Sequence, residues 1–285
     1  MHWNHTYFAL ESYILFAYYI DSINTFMQTY AMEGAYALRT SRQERRGVLE
    51  HNYSVRKNNS MQINKFNILE TKNRIIADND EVASRVRKDL SDKNIFFLNL
   101  MASPGAGKTT TLVRTINAIK DRYRIGVIEA DVDSTVDAET VAETGVRVIQ
   151  VHNGGSCHMD ADMTLQGLEG LGLQDLDVIF LENIGNIVCP AEFDVGASCS
   201  AMILSVPEGD DKPLKYPLMF RVSDVLLINK TDTMEIFDFD QEALRSRVAD
   251  LNPDCEIIPV SALTGEGFDV WIKWLTDRIE SHRCQ

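Results

Sequence analysis

The chain has 285 residues, room for one domain of about 200 residues plus extra segments. Its net charge of −14 excludes a protein built around a nucleic-acid-binding face, which must be basic, and opposes an anionic membrane surface as main partner. Five cysteines, too sparse for a disulfide scaffold, fit a reducing cytoplasmic setting, where cysteines serve as ligands or core residues. Residues 1–60 stand apart from the rest. His2–Ile20 is rich in Tyr, Phe, Leu and Ile, but Glu11 interrupts it. Its longest uncharged run, Ser12–Ile20, is too short to span a bilayer, and no basic start or cleavage site marks a secretory signal. Residues 39–60 are polar and partly basic and read as a linker. We expect 1–60 to be an atypical extension with Met61 as the natural start; an extra amphipathic helix or docking arm is the alternative. Residues 61–91 are expected to form a helical lead-in, with Asn79 or Asp80 capping a helix through Glu81–Leu90.

From there hydrophobic runs alternate with helix-like segments. Strands are expected at 94–101, 124–130, 146–151, 177–182, 201–206, 224–229 and 256–260. Helices are expected at 109–120, 136–143, 159–170, 213–220, 240–250 and 267–281. Near-continuous apolar strands suit a sheet covered on both faces. The alternation predicts an α/β fold over 92–285: a doubly wound, mostly parallel sheet with helices on both faces. Ligands of such sheets bind at the carboxyl ends of strands.

The first expected strand runs into Met101-Ala-Ser-Pro-Gly-Ala-Gly-Lys-Thr-Thr110, and a helix follows. Strand, glycine loop, Gly-Lys-Thr and helix are the elements of a phosphate-binding loop. The N–H groups of Pro104–Thr110, proline excepted, can turn inward around an anion; Gly105, Ala106 and Gly107 form the bend. Lys108 would reach the β- and γ-phosphates, and the Thr109 hydroxyl would hold Mg²⁺, with Thr110 beside it. Ala102 stands where the consensus has its first glycine. Asn229-Lys-Thr-Asp232 follows another strand and has the form of a guanine-reading motif. Asp232 can accept from guanine N1–H and the 2-amino group, a pair of donors that adenine lacks. The stem of Lys230 can lie along the base, and Asn229 can tie this loop to the phosphate loop. Ser261-Ala262-Leu263 follows the last strand, where a backbone N–H would meet guanine O6. Asp131 and Glu182 end strands and can face the cation; Asp137 lies in a segment able to respond to the γ-phosphate. Lys108, Asp131 and Asp137 are the catalytic candidates. Solvated surface carboxylates are the plain alternative for the three acids.

A second chemistry lies in Asn153-Gly-Gly-Ser-Cys-His158 and in Cys189-Pro190. Cys157 and His158 are neighbours, which in a strand would point apart; the two glycines make a loop in which they can converge. With Cys189 they would offer two thiolates and an imidazole, suited to Ni²⁺ or Zn²⁺. The spacing matches no standard structural zinc pattern, and buried cysteines packing as small hydrophobes is the other reading.

Taken together, these segments resemble the hydrogenase nickel-incorporation GTPases, the HypB family of SIMIBI-class P-loop GTPases. The resemblance rests on Asn99–Thr110, Ile128-Glu-Ala-Asp131, Gly155–Asp160, Glu182–Pro190, Glu208–Pro217 and Asn229–Asp232. It implies a cytoplasmic metallochaperone that binds GTP/GDP with Mg²⁺, forms a homodimer with GTP, and delivers nickel to a hydrogenase large-subunit precursor alongside a HypA-type nickel chaperone. It implies Cys157, His158 and Cys189 as interface metal ligands. No cysteine precedes Cys157, so the N-terminal cysteine motif of some members is not expected. Alternatives are a related GTPase serving a urease or cobalamin enzyme, whose Cys-Pro-His motif is missing here, or a regulatory GTPase with structural cysteines.

Overall fold

The computed structural model describes residues 63–131, 136–152 and 154–284, the side chains of 63–75 and of Asp131 excepted. The chain divides into two units, Met1–Glu70 and Thr71–Gln285. Of the first, the described part is the helical stretch Ile63–Glu70; the expectation for 1–60 lies outside the described residues. The second unit carries everything below.

Its centre is a seven-stranded, wholly parallel sheet in the order β3-β2-β4-β1-β5-β6-β7. The strands are β1 Phe96–Ala102, β2 Ile125–Asp131, β3 Arg147–His152, β4 Val178–Glu182, β5 Cys199–Ser205, β6 Val225–Asn229 and β7 Glu256–Pro259. The inner strands β1, β4 and β6 are buried along their whole length, as parallel strands covered on both faces must be. β7 is an edge strand, where Pro259 removes no needed ladder donor. The order reverses direction around β1 and β4, so the crevice for a ligand opens at their carboxyl ends.

Helices cover both faces, as expected. On one, α2 (Lys108–Ile119), α3 (Val136–Ala142) and α8 (Phe268–Arg283) bury Leu112, Ile116, Val141, Trp271 and Leu275 against Leu98, Val127, Phe180 and Leu227. The other face has two clusters. α1 (Ile63–Asp92) and α4 (Ala161–Leu171) pack on Phe97, Ile128 and Ile179 through Val86, Leu90 and Leu168. α6 (Pro217–Arg221) and α7 (Gln241–Leu251) pack on Met202, Leu226 and Ile228 through Met219, Phe220 and Leu244.

Three expectations need correction. Asn79 and Asp80 do not start a helix, because α1 runs unbroken through them. The Asn79 amide is used across the fold instead: it donates to Asp194 O at 2.9 Å and accepts from Ala161 N at 2.8 Å. The helix expected at 213–220 is two short ones, α5 (Lys212–Lys215) and α6, because Pro217 holds Tyr216 out of helical conformation (φ −132°, ψ 56°). The first strand begins at Phe96, since Asn94 takes a left-handed turn (φ 55°) after α1. The caps of α4 and α7 follow the rule for helix starts: Asp160 accepts from Met163 N at 2.8 Å and Asp240 from Ala243 N at 2.9 Å.

Candidate functional site

The loop from Ser103 to Gly107 connects β1 to α2 at the carboxyl edge of the sheet. Ala102 is the last residue of β1, fully buried, with an ordinary strand backbone, so the missing consensus glycine is not required there. Gly107 is required. Its φ is +97°, and a Cβ would lie 2.5 Å from the Asn229 amide nitrogen. Beside the loop opens a cleft of about 660 Å³, lined among others by Pro104, Gly105, Lys108, Thr109, Thr110, Asp137 and Glu182. α2 aims its amino end at this cleft, the arrangement that receives phosphate.

The carboxylates are strongly perturbed. Glu182 is buried and accepts from the Thr109 hydroxyl at 2.8 Å. Glu129, its neighbour across the β2–β4 pairing, is buried too. Burial, followed by the adjacent Glu182, pushes the Glu129 carboxyl far above the usual range; burial pushes Glu182 up as well, against the pull of Lys108. One oxygen of each, Oε1 of Glu129 and Oε2 of Glu182, is buried with no partner among the described residues. The orphaned Glu182 oxygen, with the Thr109 hydroxyl beside the phosphate loop, gives oxygen donors that a magnesium ion fits. Glu129 received no role from the sequence; a carboxylate two steps before Asp131, on the same strand face, was the available signal. The side chain of Asp131 and residues 132–135 lie outside the described residues, while Asp137 stands in the cleft wall.

A second cluster adjoins the loop. Asn229 donates to Ala106 O at 2.8 Å and accepts from Ala262 N at 3.0 Å, bridging the phosphate loop to the loop after β7. Lys230, in a left-handed turn (φ 61°), donates to Gly105 O at 2.7 Å. Ser261 Oγ donates to Asp232 Oδ1 at 2.5 Å. The structure thus brings Asn229, Lys230, Asp232, Ser261 and Ala262 together beside the loop.

The third cluster is Cys157, His158 and Cys189, whose ligand atoms lie within 4.8 Å of one another. The Cys157 thiol donates to Cys189 Sγ at 2.8 Å, and Cys157 Sγ is 3.7 Å from His158 Nδ1. His158 stacks on Phe193, ring centroids 3.8 Å apart, and burial lowers its pKa, favouring the neutral imidazole a metal needs. Asn186 holds the first sulfur's backbone, donating to Cys157 O at 3.1 Å, while its own carbonyl accepts from Val188 N. The cysteines therefore converge at the surface, Cys157 exposed and Cys189 half-buried; they are not core packing. Phe193 carries no motif, and the sequence did not mark it; Asn186 lies in the Glu182–Pro190 segment, which gave it no role. Cys199 is buried in β5, and Cys284 is exposed at the end of α8.

The first and third clusters are joined by one stretch of chain. It leaves β4 at Glu182, packs Gly185 against Pro104, and arrives at Cys189 in a single 3₁₀ turn. No described helix is long and apolar enough to cross a membrane.

Residues 97–259, more than half the chain, match the family model described as CobW/HypB/UreG, nucleotide-binding domain. The hydrogenase maturation factor HypB of Escherichia coli (strain K12) is 42% identical over 217 residues, 76% of this chain and 73% of that protein. This chain belongs to the HypB family. Its relative from Rhizobium leguminosarum bv. viciae, also a hydrogenase maturation factor HypB, is 42% identical over 208 residues, 73% of this chain and 70% of the relative. Among solved HypB structures, the one from Archaeoglobus fulgidus superposes with a TM-score of 0.67 at 35% identity, covering 71% of this chain and 99% of that one. HypB from Helicobacter pylori in complex with nickel gives 0.68 at 33% identity, covering 72% and 97%. The parallel sheet and the family expected from the sequence are thereby shown.

Proposed function

We propose that this protein binds and hydrolyses GTP and uses that cycle to deliver nickel for maturation of a nickel–iron hydrogenase. One observation carries the reading: a phosphate-loop cleft and a two-thiol, one-imidazole cluster share a domain and are joined by the Glu182–Cys189 chain. The names of the relatives, and the nickel in one of their structures, support it.

In the cleft, Gly105, Ala106 and Gly107 turn backbone around the phosphates, and Lys108 and the amino end of α2 supply positive charge. Thr109 and Glu182, with Asp131, are the candidate holders of Mg²⁺; when bound, it neutralises charge on the transferred phosphoryl group. Asp137, in the cleft wall, orients the attacking water. Asp232 accepts from the two guanine donors, Lys230 covers the base, and the loop at Ser261 and Ala262 meets guanine O6. Cys157, His158 and Cys189 take Ni²⁺ or Zn²⁺ as cargo. Three ligands leave the shell open, so a second copy of the chain completes it in a GTP-bound homodimer, and hydrolysis loosens it. The cytoplasmic partners are a HypA-type nickel chaperone and the hydrogenase large-subunit precursor. A urease client is a second reading, favoured by the Helicobacter hepaticus relative named hydrogenase/urease maturation factor HypB, 36% identical over 93% of its length.

The test is mass and metal content of the full chain, loaded with Ni²⁺, in GDP and in a non-hydrolysable GTP analogue. A nickel-bearing dimer with the analogue and a monomer with GDP are expected. The same mass and nickel content in both states would overturn the reading.

A further inference from the structure

Arg114 lies in the second turn of α2, the helix that starts at the phosphate loop. It takes no part in any nucleotide-binding motif. Its half-buried side chain crosses to the loop after β7. Nε donates to Ala262 O at 2.9 Å, and Nη2 donates to Leu263 O at 3.0 Å. The guanidinium also lies over Phe268, 5.4 Å from its ring centroid. Gly265 makes room for it: at φ +91°, a Cβ there would sit 2.5 Å from Arg114 Nη1.

The peptide groups so gripped are those that would face the guanine ring. Ala262 is held on both sides, its N–H by Asn229 Oδ1 and its carbonyl by Arg114. Asn229 is in turn bonded to the phosphate loop through Ala106 O. Two fixed struts, Asn229 and Arg114, therefore tie the Ser261–Gly265 loop to the element that positions the phosphates. Arginine suits the second strut. Its planar fork spans two successive carbonyls at once and cannot lose its charge. The N–H groups of Ser261, Ala262, Thr264 and Gly265 are bonded within the fold, so a loop set this firmly presents the N–H of Leu263, in the peptide whose carbonyl Arg114 grips, at one distance from the base edge. It rewards a C6 carbonyl and penalises the C6 amino group of adenine, whose donor would meet another donor.

We propose that Arg114 is the positioning residue for base discrimination: it sets the Ala262–Leu263 backbone that reads the C6 substituent of the purine. The proposal rests on the guanine reading of the site given above. Asp232 and Arg114 then divide the base between them. Asp232 reads N1–H and the 2-amino group, and the loop held by Arg114 reads C6.

The two readings separate with three nucleotides. Inosine triphosphate keeps the C6 carbonyl and lacks the 2-amino group; adenosine triphosphate carries an amino group at C6. Dissociation constants for GTP, ITP and ATP are to be measured on the full chain with Mg²⁺, for wild type, Arg114→Ala and Arg114→Lys. Thermal melting of each variant checks that the domain is intact. For Arg114→Ala we expect GTP and ITP to weaken together, about tenfold, with ATP unchanged, so that the GTP:ATP preference narrows tenfold and the GTP:ITP preference stays. Arg114→Lys, which restores one contact, should recover part of the GTP:ATP preference. Equal weakening of all three nucleotides would overturn the proposal, because Arg114 would then only brace the cleft. Unchanged affinities would overturn it too. A wild-type protein with no preference for GTP over ATP would fail the guanine reading itself, before any variant is compared.

Discussion

Glu129 shows what burial beside a like side chain does to a carboxyl group. It sits on β2 opposite Glu182 of β4, both buried, each with an oxygen left unpaired among the described residues. Two adjacent buried acids cannot both ionise cheaply, so Glu129 keeps its proton well above the ordinary carboxylate range. The folded state then binds a proton that the unfolded chain releases above its ordinary pKa. The metal-free protein should therefore lose stability as pH rises from about 5 to 8. Glu129→Gln keeps the shape and removes the titration. In EDTA, melting curves across that range should show a flatter pH slope and a gain of about 1–2 kcal/mol at pH 8. A slope unchanged by the substitution would mean that Glu129 ionises freely. The strand pattern held this residue in plain view, as an acid inside an apolar run, but two carboxylates become a pair only when β2 and β4 lie side by side. Cys157, His158 and Cys189 were easier to read, because thiols and imidazole near glycines are rare in combination. Phe193 beneath His158 was not legible, since nothing local distinguishes a stacking Phe from a core one.

At the scale of elements, the strands were the most legible part of the chain. Parallel strands covered on both faces are mostly apolar, and β1, β4 and β6 read that way but for Asn99 and the strand-end Glu182 and Asn229. Helix ends were less so. Asp160 and Asp240 do cap helices, yet Asn79, with the same local chemistry, lies within α1 and spends its amide on Asp194 and Ala161 instead. Capping chemistry and tertiary bridging use the same side chain, and only the packed neighbours decide between them. The Glu182–Cys189 connection is the element that matters most. It touches the phosphate loop through Glu182–Thr109 and Gly185–Pro104, and it holds the Cys157 loop through Asn186. Asn186→Ala should leave GTP affinity intact and weaken Ni²⁺ binding about tenfold, measured against a chromophoric chelator, as loss of a group that orients a ligand does. An unchanged Ni²⁺ affinity would show that the Cys157 backbone needs no such anchor.

Across the whole molecule, the two ends of the sheet do different work. The carboxyl end holds every candidate site residue. The opposite end is closed by an ion-pair lock: Asp177, just before β4, accepts from the Arg124 backbone N and from its guanidinium at 2.9 Å. Arg124 holds the Asp177 carboxyl down at about 2. A depressed carboxylate stabilises the fold above its ordinary pKa and loses that contribution as pH falls from about 4 to 2. Asp177→Asn should cost about 1–2 kcal/mol at pH 7, less near pH 3, with nucleotide and nickel binding unaffected; denaturant melts at both values decide it. An equal loss at both values would mean that packing, not charge, is what Asp177 supplies.

The central claim is that one domain couples the nucleotide to the metal. If GTP tightens nickel binding, nickel must tighten GTP binding by the same factor, since the coupling is a single free energy. The direct measurement is titration of Ni²⁺ into the full chain with GDP and with a non-hydrolysable GTP analogue, repeated with Cys157 and Cys189 both changed to Ala. We predict tighter binding with the analogue, by about tenfold, and no nucleotide dependence once the two thiols are gone. Equal Ni²⁺ affinity in the two nucleotide states of the unaltered protein would contradict the account.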